Sequence, residues 1–194
     1  MILALFLAVA VARPAPAGIA NALLRLNEEQ HAGFAAAMAP EAWLVDGTVQ
    51  PAKAVLARRT GPTPVRTWWP ARTVISCDGG LALSSGTVRD AGTPTRRFVT
   101  VWERQGDRQW RWVFDGPVVD EPARAARQST TAVTAACGRT TAITPDPAWE
   151  ASGESGDGTL RWRVLHANAP DGHRLVAEYL TRTGWQVFED ATVG

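Results

Sequence analysis

The sequence predicts an α+β protein in which helices come first, an antiparallel sheet follows, and a linker leads to a small three-strand meander. Three observations carry this reading. Apolar residues recur every three or four positions over 19–39, the period of one helix face. From residue 65 the period falls to two, the signature of a strand with one buried face. Turn-forming stretches, among them Asp78-Gly79-Gly80, Gly106-Asp107 and Thr183-Gly184, then separate the alternating segments.

Taken in order, Ile19, Leu23, Leu26, Gln30, Phe34 and Met38 lie on one stripe of a first helix, with Arg25, Glu28 and Glu29 on its wet side and Pro40 ending it. Trp43 to Val45 reads as a short strand closed by Asp46-Gly47. Pro51 fits the first turn of a second helix, Ala52 to Arg59, which Gly61-Pro62 stops. Strands are expected over Val65–Cys77, Leu81–Val88, Arg97–Arg104 and Trp110–Val118. In the last hairpin, Phe98, Thr100 and Trp102 share a face, as do Trp110, Trp112 and Phe114. Opposed residues of an antiparallel pair point to the same side. Matching aromatic to aromatic therefore requires a loop of three or five residues, and Gly106 suits the three-residue form with a bulge. Asp115 then falls on the side opposite Trp112 and Phe114 and is expected to point outward.

Residues 120–158 are rich in Ala, Thr, Arg, Pro, Gly and Ser with weak periodicity, and read as a linker holding Cys137. Alternation returns in 159–194: Leu160, Trp162, Val164 and His166 share a face, Pro170-Asp171-Gly172 turns the chain, and Leu175, Ala177 and Tyr179 precede a last strand from Trp185 to Glu189.

The chain has 194 residues and a formal net charge of +1, so no strong field attracts nucleic acid or an anionic membrane. Its nine tryptophans, against one tyrosine and five phenylalanines, are the compositional outlier. Such rings pack the cores of β-rich proteins and also line pockets for apolar ligands. No metal or cofactor is expected. There is no Cys-x-x-Cys, the three histidines are scattered, and Gly153–Gly158 lacks both the Lys-Ser/Thr ending of a phosphate loop and the spacing of a calcium loop.

The first twelve residues form an apolar run of signal-peptide length, too short to span a bilayer comfortably, followed by Ala15-Pro16-Ala17 at cleavage-like spacing. Residues 1–17 are accordingly expected to be removed on export to the periplasm or beyond, leaving no membrane span. No lysine or arginine precedes the run, which departs from the usual signal. In an oxidising compartment Cys77 and Cys137 have one intramolecular bridge open to them, the alternative being two buried thiols.

Two stretches carry a family resemblance. One runs from Leu23-Leu24-Arg25-Leu26-Asn27 through Phe34 to Trp43-Leu44-Val45-Asp46-Gly47; the other from Phe98-Val99-Thr100-Val101-Trp102-Glu103-Arg104 through Gly106-Asp107 to Trp110-Arg111-Trp112-Val113-Phe114-Asp115. With the element order, they resemble the ketosteroid-isomerase and nuclear-transport-factor-like superfamily, in its SnoaL-like, cystatin-like branches. The resemblance implies that residues 18–119 form a curved sheet wrapped around the helices as a cone with an apolar pocket, and that copies of the chain pair as a homodimer. It does not cover the linker or the meander. It also implies candidate chemistry for an isomerase, cyclase or dehydratase: Asp46 as a pocket base, or His31 from the first helix. The only tyrosine, Tyr179, lies outside the implied cone, which removes the tyrosine of an isomerase oxyanion pair. Trp43, Trp68, Trp69 and Trp102 are the candidate pocket-lining residues for a small apolar ligand. His166 and His173 can meet across their hairpin, where such a pair is ordinarily solvated. The reading that follows is an exported protein binding a small apolar ligand or a partner, with enzymatic isomerase-type chemistry as the alternative.

Overall fold

The structure, a computed structural model, describes residues 13–14, 34–60, 66–90, 95–119, 131–138, 140–166 and 172–194. His31, the cleavage site after Ala17 and most of the predicted first helix lie outside them. The described elements are β1 (Arg13–Pro14), a helical turn α1 (residues 34–36), β2 (Met38–Asp46), β3 (Thr48–Pro51), α2 (Ala52–Arg58), β4 (Arg66–Ile75), β5 (Leu81–Asp90), β6 (Arg96–Arg104) and β7 (Trp110–Val118). They continue with β8 (Thr131–Thr134), β9 (Trp149–Glu154), β10 (Leu160–His166), β11 (His173–Thr181) and β12 (Gly184–Val193).

The α+β expectation is not met. The described residues are mostly β, with twelve strands joined in one mixed sheet, and do not form a cone of sheet around N-terminal helices. The main path runs β1-β8-β4-β5-β6-β7-β12-β11-β10-β9, and β2 pairs with both β3 and β7. Between β7 and β12 the continuity rests on one residue pair, Val118 opposite Val193. There the sheet folds over on itself. Val74, Leu83, Val99, Val101 and Phe114 of the first layer pack against Leu160, Trp162, Val164, Leu175 and Ala177 of the second in one buried core. The C-terminal meander is thus four strands, β9 to β12, and its apolar face covers the first layer. Its first strand and β8 both come from the stretch read as linker. A three- or four-strand sheet is marginal unless its apolar face is covered, and this packing covers it.

The predicted first helix fails at its end for a related reason. Met38 ends its apolar stripe, yet Met38 and Ala39 belong to β2, which runs parallel to β7. The Ala37 carbonyl accepts the Trp112 amide at 2.9 Å, so the neighbouring strand captures the chain where local periodicity would keep it helical. Pro40 is tolerated because it sits at an irregularity in the β2–β7 pairing, between Met38 and Trp43. On this side of the first layer Phe34, Ala42, Leu44, Ala52 and Val55 bury Trp68, Val88, Phe98, Trp102 and Trp112.

The hairpin of β6 and β7 pairs Trp102 with Trp112 and Arg104 with Trp110, leaving a five-residue loop rather than three. A bulge then shifts the register, so that Val101 faces Phe114 and Thr100 faces Asp115. An extra residue inverts the alternation beyond it. Phe114 therefore enters the core between the layers, and Asp115 joins the face of Trp102 and Trp112 instead of pointing outward. The bulge of β4 at Pro70–Arg72 lies over Gly86, where an added Cβ would meet Pro70 Cα at 2.8 Å, so the site admits only glycine without a backbone shift.

The disulfide between Cys77 and Cys137 is formed, with Cα atoms 5.1 Å apart. Parallel pairing of Ile75 with Thr134 brings both chains out at the same end of β4 and β8, where the two cysteines meet. Beside it two turns of identical pattern, Ser76-Cys77-Asp78-Gly79-Gly80-Leu81 and Ser155-Gly156-Asp157-Gly158-Thr159-Leu160, clasp each other. Each serine hydroxyl donates to the aspartate two residues on and accepts the amide of the leucine five residues on. The Asp78 amide donates to Asp157 Oδ2 at 2.8 Å, and the Asp157 amide returns the bond to Asp78 Oδ2 at 3.1 Å.

Partial burial pushes the Asp157 carboxyl up, but bonds from Ser155, from the Thr159 amide and hydroxyl, and from the Asp78 amide outweigh it and hold the group below the ordinary aspartate range. Arg174 bonds hold Asp190 low in the same sense. A carboxyl depressed in the folded state stabilises it above the unfolded value, and this contribution is lost as pH falls through the folded one. The unfolding midpoint is therefore expected to drop between about pH 5 and about pH 2. Asp157→Asn should flatten that acid limb; thermal unfolding of both proteins across the range checks this, and superimposable slopes would refute it.

Candidate functional site: a cleft at the end of the first layer

The turn between β2 and β3 opens a cleft against the ends of β4 to β7. Its lining includes the apolar Phe34, Leu44, Trp68, Val88, Phe98 and Pro117, all but Pro117 showing only a small part of their surface. Its rim carries Asp46, Arg59, Arg96 and Asp115, with Gly47 and Gly194 supplying backbone. The hollow measures about 180 Å³. Two packing facts shape it. Phe34 stacks on Trp112 with ring centres 4.5 Å apart and on Trp68 at 6.3 Å. The Trp112 indole donates to the Phe34 carbonyl at 2.8 Å, which fixes the inner end of the wall.

The two carboxylates come from neighbouring parallel strands, with Leu44 of β2 paired to Asp115 of β7 and Asp46 two residues further along. The Thr100 hydroxyl donates to Asp115 Oδ1 at 2.6 Å and so orients it. Asp46 is exposed, at the last position of β2. The reversal after it needs Gly47, whose φ of +73° is open to glycine at little cost. Arg59 follows the end of α2, and Arg96 opens β6. The rim thus offers two anionic and two cationic side chains around an aromatic floor.

Of the residues expected from sequence to line a pocket, the structure places Asp46 and Trp68 in this cleft. Trp102 is fully buried in the core under α2. Trp43 is half-buried and packs on the core between the layers. Trp69 is half-buried, paired with Thr87. Asp115, Phe98, Arg59 and Arg96 were not picked out by sequence reasoning. Asp115 was assigned outward because the bulge before it has no signature in the residues themselves. His166 and His173, however, do meet across the β10–β11 hairpin as a directly opposed pair.

Together these features define a two-layered, mostly β protein with a small-molecule-sized cleft of mixed apolar and charged lining. No family model, no curated protein and no solved structure matches the chain. Among the described residues no helix is long and apolar enough to cross a membrane.

Proposed function

We propose that the protein binds a small, partly apolar molecule in this cleft. One observation carries the reading: an aromatic wall of Phe34, Trp68 and Phe98 stands behind a rim of opposed charges, around a hollow of about 180 Å³. An apolar cavity of about 150 Å³ accommodates a benzene ring. The volume therefore suits a compound of one ring with a short polar substituent, its ring against the wall and its substituent at the rim. Asp46 stands in water at the rim, which favours a binding role for it over that of a pocket base.

Export accompanies this reading. The apolar N-terminal run and the Cys77–Cys137 bridge both fit a periplasmic or secreted protein.

The test is a panel of single-ring compounds bearing carboxylate, amine, hydroxyl or no polar group, scored by thermal shift and confirmed by calorimetry on the full chain. A saturable shift with one-to-one stoichiometry is expected for a subset carrying a polar group. Asp46→Ala should weaken that binding about three- to tenfold, the net scale of one ordinary hydrogen bond. Trp68→Phe should weaken it by a similar factor through lost contact area. A panel without a single saturable binder, or binders indifferent to both substitutions, would remove the cleft from consideration.

A further inference from the structure

We propose that Glu150, His166 and His173 form a binding site for a zinc-type divalent cation, adjoining the cleft through Gly47 but sharing none of its charged side chains. The three come from adjacent strands, β9, β10 and β11, and one ligand atom from each lies within 4.8 Å of the others. His173 Nδ1 is 2.6 Å from Glu150 Oε2, and His166 Nδ1 is 3.7 Å from Glu150 Oε1. The two imidazole rings stand edge to face, 5.7 Å apart.

Two features set the trio apart from an ordinary surface ion pair. First, both nitrogens of the buried His173 ring face oxygen acceptors: Nδ1 meets the Glu150 carboxylate, and Nε2 lies 3.3 Å from the Gly47 carbonyl. A neutral imidazole carries one N–H. With Nε2–H donating to Gly47, Nδ1 is the nitrogen turned toward the Glu150 carboxylate, where a proton bridges the two as they stand and a metal ion would take the proton's place once they separate. A backbone carbonyl fixing the far nitrogen is also the usual support of a metal-bound histidine. Second, Glu150 is the extra residue of a bulge. Val164 pairs with Ala151 and Leu165 with Trp149, so Glu150 is skipped. Bulges commonly re-aim a side chain at a functional site.

Two imidazole nitrogens and one carboxylate are a ligand set suited to zinc, whose ligand atoms stand about 3.3 Å apart in a tetrahedral shell. His173 is buried and held in place; the half-buried Glu150 carboxylate moves back from 2.6 Å to about 3.3 Å to admit the ion, and the largely exposed His166 turns its ring to complete the set. The same exposure leaves the fourth position facing solvent. Calcium and magnesium, which favour all-oxygen shells, are disfavoured.

The experiment uses the untagged full chain, stripped with chelator and titrated with Zn²⁺ alone by calorimetry, with metal analysis after gel filtration. One Zn²⁺ per chain is expected, together with a rise in Tm and no competition from excess Ca²⁺ or Mg²⁺. His166→Ala, at an exposed position, should weaken binding by more than about tenfold while the metal-free Tm and circular dichroism stay as in the parent; Glu150→Gln should weaken binding likewise while lowering the metal-free Tm, because it also loosens the pair with buried His173. Absence of retained Zn²⁺ would overturn the proposal and leave the trio as an ion pair. Zn²⁺ held equally well by both variants would place the metal elsewhere and overturn it too.

Discussion

Replacing Glu189 with alanine is expected to remove about 3 kcal/mol of stability, read as a lower urea midpoint at unchanged slope. Glu189 is a carboxylate of β12 that is 5% exposed and sits between the two layers. It accepts from Arg97 of β6 at 2.6 Å and from Arg72 of β4 at 2.9 Å, so one side chain ties the second layer to two strands of the first. Arg72 adds a bond to the Phe188 carbonyl and lies over the Phe188 ring. A register shift in β12, between the pairs Ala177–Glu189 and Glu178–Val187, leaves Phe188 unpaired and lets both Phe188 and Glu189 turn inward. Truncation withdraws one counter-charge from a mostly buried Arg97 guanidinium and opens a gap between the layers, which together dominate the cost. Arg72 is 52% exposed, and Arg72→Ala should therefore cost about 1 kcal/mol or less. Glu189→Gln keeps the volume and a hydrogen-bonding oxygen and should fall between the two. Equal midpoints for the parent and Glu189→Ala would show that apolar packing alone joins the layers.

Opening the disulfide is expected to cost about 4 kcal/mol, because a bridge between residues 60 apart removes much of the freedom of the unfolded chain. The bridge sits at a junction of three segments. Cys77 follows β4, Cys137 follows β8, and the Cys77 amide donates to the Thr159 hydroxyl in the β9–β10 turn at 2.9 Å. The Ala136 amide reaches the Leu180 carbonyl of β11 at 2.8 Å. Loss of the bridge should thus loosen the β8 exit and the paired Asp78 and Asp157 turns together. Cys137 is exposed, so a reductant reaches it without global unfolding. Urea unfolding with and without reductant, alongside the Cys77→Ser, Cys137→Ser double variant, measures the effect. The reduced protein and the double variant should agree; a double variant as stable as the oxidised parent would contradict the chain-entropy account.

The candidate site was partly legible. Asp46 stood out as the pocket base that the family resemblance implied, at an Asp-Gly turn closing an apolar run; the turn is there, and Asp46 lies exposed at the cleft rim. Trp68 stood out by its ring. Asp115 was misplaced by one bulge, and Glu150 drew no notice because it lies in a stretch of weak periodicity and is skipped by its partner strand. The opposition of His166 and His173 was readable from the hairpin, but a two-histidine pair has no meaning as a ligand set until a third group is placed beside it. The Ser-x-Asp-Gly-x-Leu pattern, present twice, was also readable; that its two copies bind each other's amides was not.

Local chemistry in the residues settled where β4 to β7 and β10 begin and end to within two residues, since alternation, Gly-Asp turns and proline breaks act over a few positions, but it left β3, β8 and β9 unplaced and β2 and β12 short. β7 was placed at its observed limits, β6 and β10 to within a residue, and α2 one residue long. The layering was decided elsewhere. Whether an apolar strand face meets a helix or a second sheet depends on which distant segment covers it, and a bulge depends on the hydrogen bonds of its partner. Those contacts turned a predicted cone with an appended meander into one sheet folded onto itself, and they alone brought Asp46 to Asp115 and Glu150 to His173.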